Sequence, residues 1–176
     1  IAEQEIGKQL LIETASYAES SVCRRKSLLH YFGEDFPHDY CGNCDNCLHP
    51  KKQFEGKEYL ATVLELVNGI KENFKADHLA NILGGVTNSI IKSYNHTELE
   101  WFGILPDKDS KFWLAVIRQA LVMQFLYKDV EKYGLVSVTE KGNSFLEQPY
   151  SVMLTEDREF VSTDDDEDVV TIGSGK

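Results

Sequence analysis

The sequence predicts a mainly α-helical fold with one small β-hairpin, divided into a short metal-stabilised part and a longer helical part. Three features predict it. All four cysteines lie within the first 50 residues, apolar residues recur at helical spacing from Lys57 onward, and two short apolar segments near residue 130 flank a polar turn. A chain of 176 residues is long enough to build two such units around a core.

The four cysteines are spaced as ligands of one tetrahedral ion. Cys41, Cys44 and Cys47 stand at three-residue intervals, and Cys23 precedes them. Four thiolates fill the coordination shell of a structural Zn²⁺ site and leave no position for a catalytic water. We therefore predict one structural Zn²⁺ per chain, bound by Cys23, Cys41, Cys44 and Cys47, and no catalytic residues.

Three other interpretations of these cysteines stay open. Two disulfides would suit an oxidising compartment, although the thiols of a C-x₂-C-x₂-C run crowd one another. An iron–sulfur cluster motif begins in the same way, but no cysteine follows Cys47. A shell of three cysteines and one histidine could use His30, His38 or His49.

The first part should contain two helices within residues 3–32, because its apolar residues recur at helical intervals and are interrupted near residues 19–21. Cys23 is predicted to lie early in the second helix. The ion would then tie the loop that carries Cys41 back onto this helix. A unit of about 50 residues buries little core, whereas zinc contributes on the order of 10 kcal/mol to folding.

The second part has the element order of a winged helix. We predict a helix over residues 57–74, a short helix stopped by Gly84 and Gly85, and a third helix starting at Thr87 or Asn88. Two short helices joined by a glycine turn indicate a helix-turn-helix. An apolar core helix over residues 112–125 and a hairpin of residues 125–130 and 135–139 complete the pattern.

Polar side chains on the third helix and on the hairpin are candidates for DNA contact. They combine groups that hydrogen-bond to phosphates or base edges with cations and a stacking surface. The candidate DNA-binding residues are Asn88, Ser89, Lys92, Ser93, Lys128, Lys132 and Tyr133. Two histidines near the turn, His78 and His96, could contact DNA or support local structure, and we favour the structural role. Arg118 is predicted to form a structural ion pair or cap.

Charge is distributed unevenly along the chain. The formal net charge is -11, yet residues 51–150 carry 13 acidic and 12 basic side chains, and residues 164–168 are all acidic. We predict a zinc-binding unit over 1–54, a winged-helix unit over 55–150 and a flexible acidic tail over 151–176. No segment resembles a membrane span or a secretory leader, which predicts a soluble intracellular protein.

The end of the chain only superficially resembles a phosphate-binding loop. It finishes Gly173-Ser174-Gly175-Lys176, whereas a Walker A motif needs a glycine where Val170 stands and a Ser or Thr after the lysine. We therefore expect this chain not to hydrolyse ATP by itself.

Several segments together resemble the RecQ family of DNA helicases. The blocks that carry the resemblance are Cys23-Arg24-Arg25, residues 28–34, residues 41–48, Trp113, Val116-Ile117-Arg118-Gln119 and residues 138–142. The first three are similar to the zinc-binding subdomain of that family, and the others to the winged helix that follows it in bacterial members. The resemblance spans residues 1–150, and the cysteine block is its most specific part.

The resemblance implies an accessory role beside an ATPase motor. In that family the motor binds ATP and Mg²⁺ and translocates 3′ to 5′, the zinc unit supports the motor, and the winged helix grips duplex at the fork. It implies zinc ligation by the four cysteines, contact with the parent's own RecA-like domains, and a bacterial cytoplasmic, nucleoid-associated location. Bacterial relatives also bind the acidic tail of single-stranded-DNA-binding protein. Some relatives part strands with a long aromatic-tipped hairpin, and the turn at 131–134 is short for that.

A different class of function also fits the sequence. Winged helices serve as protein-docking surfaces, and this one is not basic overall. The alternative is therefore a zinc-stapled winged-helix module that binds proteins. Affinity for a forked duplex that falls as salt rises would separate the two functions.

Overall fold

The computed structural model describes residues 2–129 and 131–157, and it confirms a mainly helical fold with small β structure. The described helices are α1 (Ala2–Glu19), α2 (Arg24–Tyr31), α3 (Asp45–Leu48), α4 (Lys57–Gly69), α5 (Ala76–Leu83), α6 (Ser89–Ser93), α7 (Ser110–Val122) and α8 (Glu140–Glu147), with a 3₁₀ turn at His96–Glu98. The described strands are β1 (Gln53–Glu55), β2 (Leu126–Asp129), β3 (Leu135–Val138) and β4 (Met153–Thr155).

The first part of the chain has the two predicted helices, α1 and α2, and a break between them at residues 20–23. Cys23 is the N-cap of α2 and not a residue within the helix, which corrects the prediction. The reason is local, because the backbone leaves the helical region at Cys23 (φ −46°, ψ 124°) and re-enters it at Arg24. The single helical turn α3, which follows Cys44 and includes Cys47, was not predicted from the sequence.

The winged-helix part begins with α4, which ends at Gly69 and not at Phe74 as predicted. A Cβ on Gly69 would lie 2.4 Å from the Trp101 ring, so glycine lets the chain turn against that ring. The backbone becomes extended at Ile70, and the carbonyl of Phe74 accepts from the backbone N–H of Val136 at 2.9 Å. The apolar stripe therefore continues past the helix because Phe74 packs beside the hairpin.

The helix-turn-helix is formed by α5 and α6, as predicted. Gly84 caps the end of α5, and Gly85 has the left-handed φ of 68° that the turn requires. Asn88 is the N-cap of α6, with its side-chain oxygen accepting from the backbone N–H of Ile91 at 2.9 Å.

The hairpin also follows the prediction, and the chain after it holds structure that the sequence did not reveal. β2 and β3 are antiparallel, with Leu126 opposite Val138 and Asp129 opposite Leu135. Thr139 then caps α8, because its hydroxyl accepts from the Gly142 N–H at 3.1 Å. β1 and β4 form a second two-stranded antiparallel sheet. Strands of three residues are too short for an alternating pattern to be recognised.

The apolar core lies in the second part of the chain. Its buried cluster runs from Leu60 to Leu154 and includes Trp113, Ile117 and Phe145, and no described residue of the first 50 belongs to it. Residues 153–155 are paired with β1 and Leu154 is fully buried, so 151–157 belong to the folded part and not to the predicted tail. The other unit limits stay predictions.

Two of the sequence predictions concern residues outside the described part of the chain. These are the acidic run at 164–168 and the segment at 173–176 that resembles a phosphate loop. Among the described helices, none has both the length and the apolar character that a bilayer crossing requires.

Candidate metal centre and nucleic-acid interface

The four cysteines converge on one point. The Sγ atoms of Cys23, Cys41, Cys44 and Cys47 all lie within 4.8 Å of one another. Tetrahedral zinc with Zn–S bonds of about 2.3 Å would hold its sulfurs about 3.8 Å apart, and the Sγ atoms of Cys41 and Cys47 are 3.9 Å apart. The donor set and its spacing therefore fit one structural Zn²⁺.

Backbone amides around the site favour the thiolate form of two cysteines. The backbone N–H of Asn43 donates to Cys41 and, with other donors, lowers the pKa of that thiol to about 6. Burial acts to raise the pKa of Cys44, but the N–H of Arg24, 3.4 Å from its Sγ, and further donors outweigh it and lower that pKa. Burial raises the pKa of Cys47 to about 11. The N–H donors stabilise the form that binds metal.

Arg24 connects the metal site to α1. Its guanidinium makes two bonds of 3.0 Å to the carboxylate of Asp45, which lies between the ligands Cys44 and Cys47. It also donates to the backbone carbonyls of Tyr17 and Ala18 at the end of α1. The hydrogen bond to Asp45 and its charge raise the pKa of Arg24 against the effect of burial. Arg24 thus holds the cysteine turn against the helix before it.

Asn46 makes a second connection, which was not predicted from the sequence. Its side chain is buried, and Nδ2 donates to the carbonyls of Ser20 at 2.8 Å and Val22 at 2.7 Å. These carbonyls belong to the segment that leads into Cys23. Asn46 therefore fixes the position of Cys23 relative to the cysteine turn. Its position between the predicted ligands Cys44 and Cys47 was the one feature of the sequence that could have indicated this role.

Of the four predicted DNA-contact residues on the helix-turn-helix, two are exposed and two use their side chains in hydrogen bonds within the helix. Ser89 and Lys92 are exposed on α6. Asn88 uses its side-chain oxygen for the N-cap, and the Ser93 hydroxyl donates to the Ile90 carbonyl at 2.8 Å. The DNA role of these four residues stays a prediction, and it rests mainly on Ser89 and Lys92.

The hairpin residues divide in the same way. Lys128 is half-buried and forms an ion pair with Glu13 of α1. Lys132 lies 3.1 Å from Asp129, but its side chain is 73% exposed. Tyr133 is 84% exposed at the tip of the hairpin and has a left-handed φ of 58°, followed by Gly134 at 82°. The turn therefore presents Lys132 and Tyr133 to solvent, while Lys128 joins the hairpin to α1.

Arg118 and the two histidines serve the fold, as the sequence predicted. Arg118 donates to the Ser16 carbonyl at 3.0 Å, which joins α7 to α1, and it lies 3.0 Å from the Asp157 carboxylate, which joins α7 to the segment after β4. His78 and His96 are buried, and their ring nitrogens Nε2 and Nδ1 are 2.9 Å apart. Burial is the main cause that lowers the pKa of both rings.

Two family models together cover nearly all of the described chain. Residues 2–48 match the RecQ zinc-binding model, and residues 50–163 match the RQC domain model. The boundary between them lies just after the cysteine turn and before β1.

Curated relatives point to the same family. The ATP-dependent DNA helicase RecQ of Pasteurella multocida is 33% identical over 155 residues, which cover 86% of this chain and 24% of that protein. The protein of the same name from Haemophilus influenzae is 30% identical over 155 residues, covering 86% and 25%. The one from Bacillus subtilis is 25% identical over 142 residues, covering 81% and 24%. The chain thus spans about a quarter of the length of these relatives.

Proposed function

Because this chain belongs to the RecQ helicase family, with a RecQ zinc-binding domain followed by an RQC domain, we propose that it is the accessory duplex-DNA-binding region of a RecQ-type 3′–5′ DNA helicase. Such an enzyme acts in DNA repair, recombination and replication. The observation that carries the proposal is the direct attachment of a four-thiol metal site to a winged helix with an exposed hairpin tip.

Zinc would hold the first part of this chain in one shape. We assign Cys23, Cys41, Cys44 and Cys47 as its ligands, with Arg24 and Asn46 orienting the two segments that carry them. The ion supplies folding energy and no reaction step, since four thiolates fill its coordination shell.

The winged helix would grip the DNA backbone without reading base sequence. α6 has only five residues, and Lys92 is its one cation. A helix of about one and a half turns places few side chains in a groove. Lys92 on α6 and Lys132 on the hairpin suit phosphate contacts, and Tyr133 can stack on a base exposed at a fork. Because the hairpin is short, it suits contact with the DNA backbone better than the separation of the two strands.

The motor of the parent enzyme would dock on the zinc-binding part. α1 and α2 expose large apolar side chains that the described chain does not cover, namely Ile6, Leu10, Leu11, Leu28, Tyr31 and Phe32. Six large apolar side chains exposed in one short part of the chain suit a protein-contact surface. Binding of ATP and Mg²⁺ and the hydrolysis of ATP would belong to the RecA-like domains that bind there.

Two further aspects of the proposal rest on the family alone. A bacterial parent would act in the cytoplasm at the nucleoid. The acidic tail of single-stranded-DNA-binding protein is a candidate second partner of the winged helix.

The proposal is tested by fluorescence anisotropy of a labelled forked duplex with the zinc-loaded chain at several salt concentrations. We expect affinity to fall as salt rises, and Lys92→Gln to reduce the slope of log K against log [salt] by about 0.9, the value for one phosphate contact. Lys8→Gln on α1 removes the same charge outside the winged helix and should leave the slope unchanged. Absence of salt-dependent binding would exclude the proposal.

One observation favours a second function, in which the winged helix binds a protein. Val86, Ile90 and Tyr94 are exposed on and beside α6, so the helix-turn-helix surface is partly apolar. A protein-docking module predicts that the chain shows no measurable affinity for the forked duplex. It also predicts that Ile90→Glu abolishes partner binding without changing the melting temperature.

A further inference from the structure

A large cleft separates the zinc-binding part from the winged helix. Its volume is about 1100 Å³, which is above the usual range of about 300–1,000 Å³ for a pocket that holds one small molecule. One wall is formed by α2 and the loop at residues 34–40. The other wall is formed by the end of α7, the start of α8 and residues 150–153. The cleft is thus distinct from the surface of α6 and the hairpin tip.

Three lysines line this cleft, with Lys26 and Lys141 on opposite walls and Lys51 after the cysteine turn. Lys26 on α2 has only a weak partner, because its Nζ is 3.4 Å from an oxygen of Asp39 whose side chain is 97% exposed. Lys141 at the start of α8 donates to the Met123 carbonyl at 2.7 Å and lies 4.4 Å from the centre of the Phe125 ring. Burial, and then the charge of Lys26, lower the pKa of Lys141. Lys26 and Lys141 thus bring two positive charges to opposite walls of the cleft.

Such a pair of like charges is relieved by an anion between them. Three acidic side chains also line the cleft, Glu34, Asp35 and Asp39, and all three lie on the wall of the zinc-binding part. Asp39 points to solvent, and Asp35 accepts a hydrogen bond from the Gln124 amide. None of the described carboxylates forms an ion pair with Lys141.

Aromatic rings stand on both walls beside these cations. Tyr40 lines the cleft from the zinc-binding part and is 73% exposed. Tyr150 lines it from the other side, half-exposed, and its ring is held edge-on by Phe145 at 5.1 Å. Cations that bind phosphates, combined with exposed rings on which bases stack, form the surface that binds single strands without sequence preference.

We propose that the cleft between the zinc-binding part and the winged helix binds single-stranded nucleic acid, with Lys26 and Lys141 on its phosphates and Tyr40 stacked on a base. The site lies apart from the proposed duplex grip, so the chain would hold one strand of a fork separately from the duplex. The inference shares one premise with the proposed function, namely that this chain binds DNA, but it assigns the single strand to a different site.

The test compares two nucleic acids with two charge-matched variants. The probes are a labelled oligothymidylate of about 12 nucleotides, within the range of site sizes of single-strand binders, and a labelled blunt duplex. We expect K26Q/K141Q to weaken oligothymidylate binding at least about fivefold and to reduce its salt slope by about 1.4, the value for two contacts with a single strand. Blunt-duplex affinity should not change.

The control variant is K92Q/K132Q, which removes the same charge from α6 and the hairpin. It should weaken duplex binding and leave oligothymidylate binding unchanged. Tyr40→Ala should weaken oligothymidylate binding, whereas Tyr133→Ala should not. The zinc content of every variant must equal that of the parent chain, so that a folding defect is recognised.

The inference is overturned if the parent chain does not bind oligothymidylate, or if K26Q/K141Q binds it as tightly as the parent chain does. It is also overturned if both double variants weaken both nucleic acids equally, since one shared surface would then account for all binding. Oligothymidylate binding with the expected pattern, but without any duplex binding, would support the inference and exclude the proposed function.

Discussion

At the residue scale, the amide of Asn46 determines how the two halves of the metal site meet. Cys23 comes from the segment between α1 and α2, whereas the other three thiols come from a turn about 20 residues later. Asn46 spans this separation with two hydrogen bonds to backbone carbonyls, at Ser20 and Val22. A buried polar side chain with two such partners holds a ligand in place before the metal binds.

Asn46→Ala should weaken zinc binding by about 10- to 100-fold, the range for side chains that orient metal ligands. The cause is loss of both hydrogen bonds, which leaves the Ser20 and Val22 carbonyls without this donor. The measurement is zinc transfer to a chelator of known affinity. Asn43→Ala is the matched control, because Asn43 is exposed in the same turn. Equal zinc affinity in the two variants would contradict the role of Asn46.

The buried pair His78 and His96 should make the stability of the winged helix depend on pH. The pKa of each ring is lowered from 6.5, mainly by burial, and the nearby acids Asp77 and Glu72 oppose the shift without cancelling it. The unfolded chain therefore binds protons at a higher pH than the folded chain does. The contribution of this pair to the free energy of unfolding is fully present well above pH 6.5, the approximate pKa of an unfolded histidine. It is lost as the pH falls below that value toward the pKa values of the folded state.

We expect the free energy of unfolding to fall by at most about 1.4 kcal/mol per pH unit for each proton taken up in this range. The double variant His78→Leu/His96→Leu should flatten the dependence, because replacing both partners of a buried hydrogen bond by apolar groups is close to neutral. Urea unfolding between pH 5 and pH 7.5 measures it. His38→Leu, at an exposed position, is the control. An unchanged slope in the double variant would assign the pH dependence to other groups.

At the element scale, α8 fits against the hairpin only because Gly142 has no side chain. A Cβ at this position would lie 2.4 Å from the Phe125 carbonyl oxygen and 2.6 Å from a methyl carbon of Val138. The same helix turn carries Lys141, which faces the cleft. Close packing of α8 thus positions both the hairpin and one wall of the cleft.

Gly142→Ala should destabilise the chain by about 1–3 kcal/mol, the usual cost of overpacking against backbone. Gly7→Ala on α1 is the matched change, since nothing lies within 4 Å of a Cβ there. Alanine in an exposed helix should stabilise by about 0.5–1 kcal/mol relative to glycine. Thermal unfolding of both variants gives the comparison. Similar shifts in both would show that the contact at Gly142 relaxes without cost.

The elements show which parts of this fold a sequence can predict. α5 was predictable because two glycines end it, and β2 and β3 because apolar residues flank a polar turn. β1 and β4 were missed because they pair across 100 residues and have three residues each. The metal site was predictable from cysteine spacing. The ion pair between Lys128 and Glu13 could not be predicted from the sequence, because it depends on how α1 packs beside the hairpin.

At the scale of the whole molecule, two sources of stability act on two parts of the chain. The buried apolar cluster lies between residues 60 and 154. The described part of the first 50 residues buries mainly Cys23 and the polar side chains of Ser20, Ser21 and Asn46. The winged helix therefore has a hydrophobic core, whereas the zinc-binding part depends on its ion.

Removal of zinc by a chelator should unfold residues 2–50 and leave the winged helix folded. Hydrogen exchange would show loss of amide protection in α1 and α2, with protection retained in α4 and α7. Both tryptophans belong to the retained part, with Trp113 in the core and Trp101 packed against it, so tryptophan fluorescence should change little. Loss of protection in α7 together with α1 would show instead that Arg118 and its partners couple the two parts into one cooperative unit.

The metal content of the purified chain decides whether its four cysteines form a structural zinc site. Native mass spectrometry of the parent chain should show one zinc ion per chain, and Cys44→Ser should lose the ion or bind it much more weakly. A folded chain without metal, whose four thiols all react readily with a thiol reagent, would show that the cysteines do not form a structural zinc site.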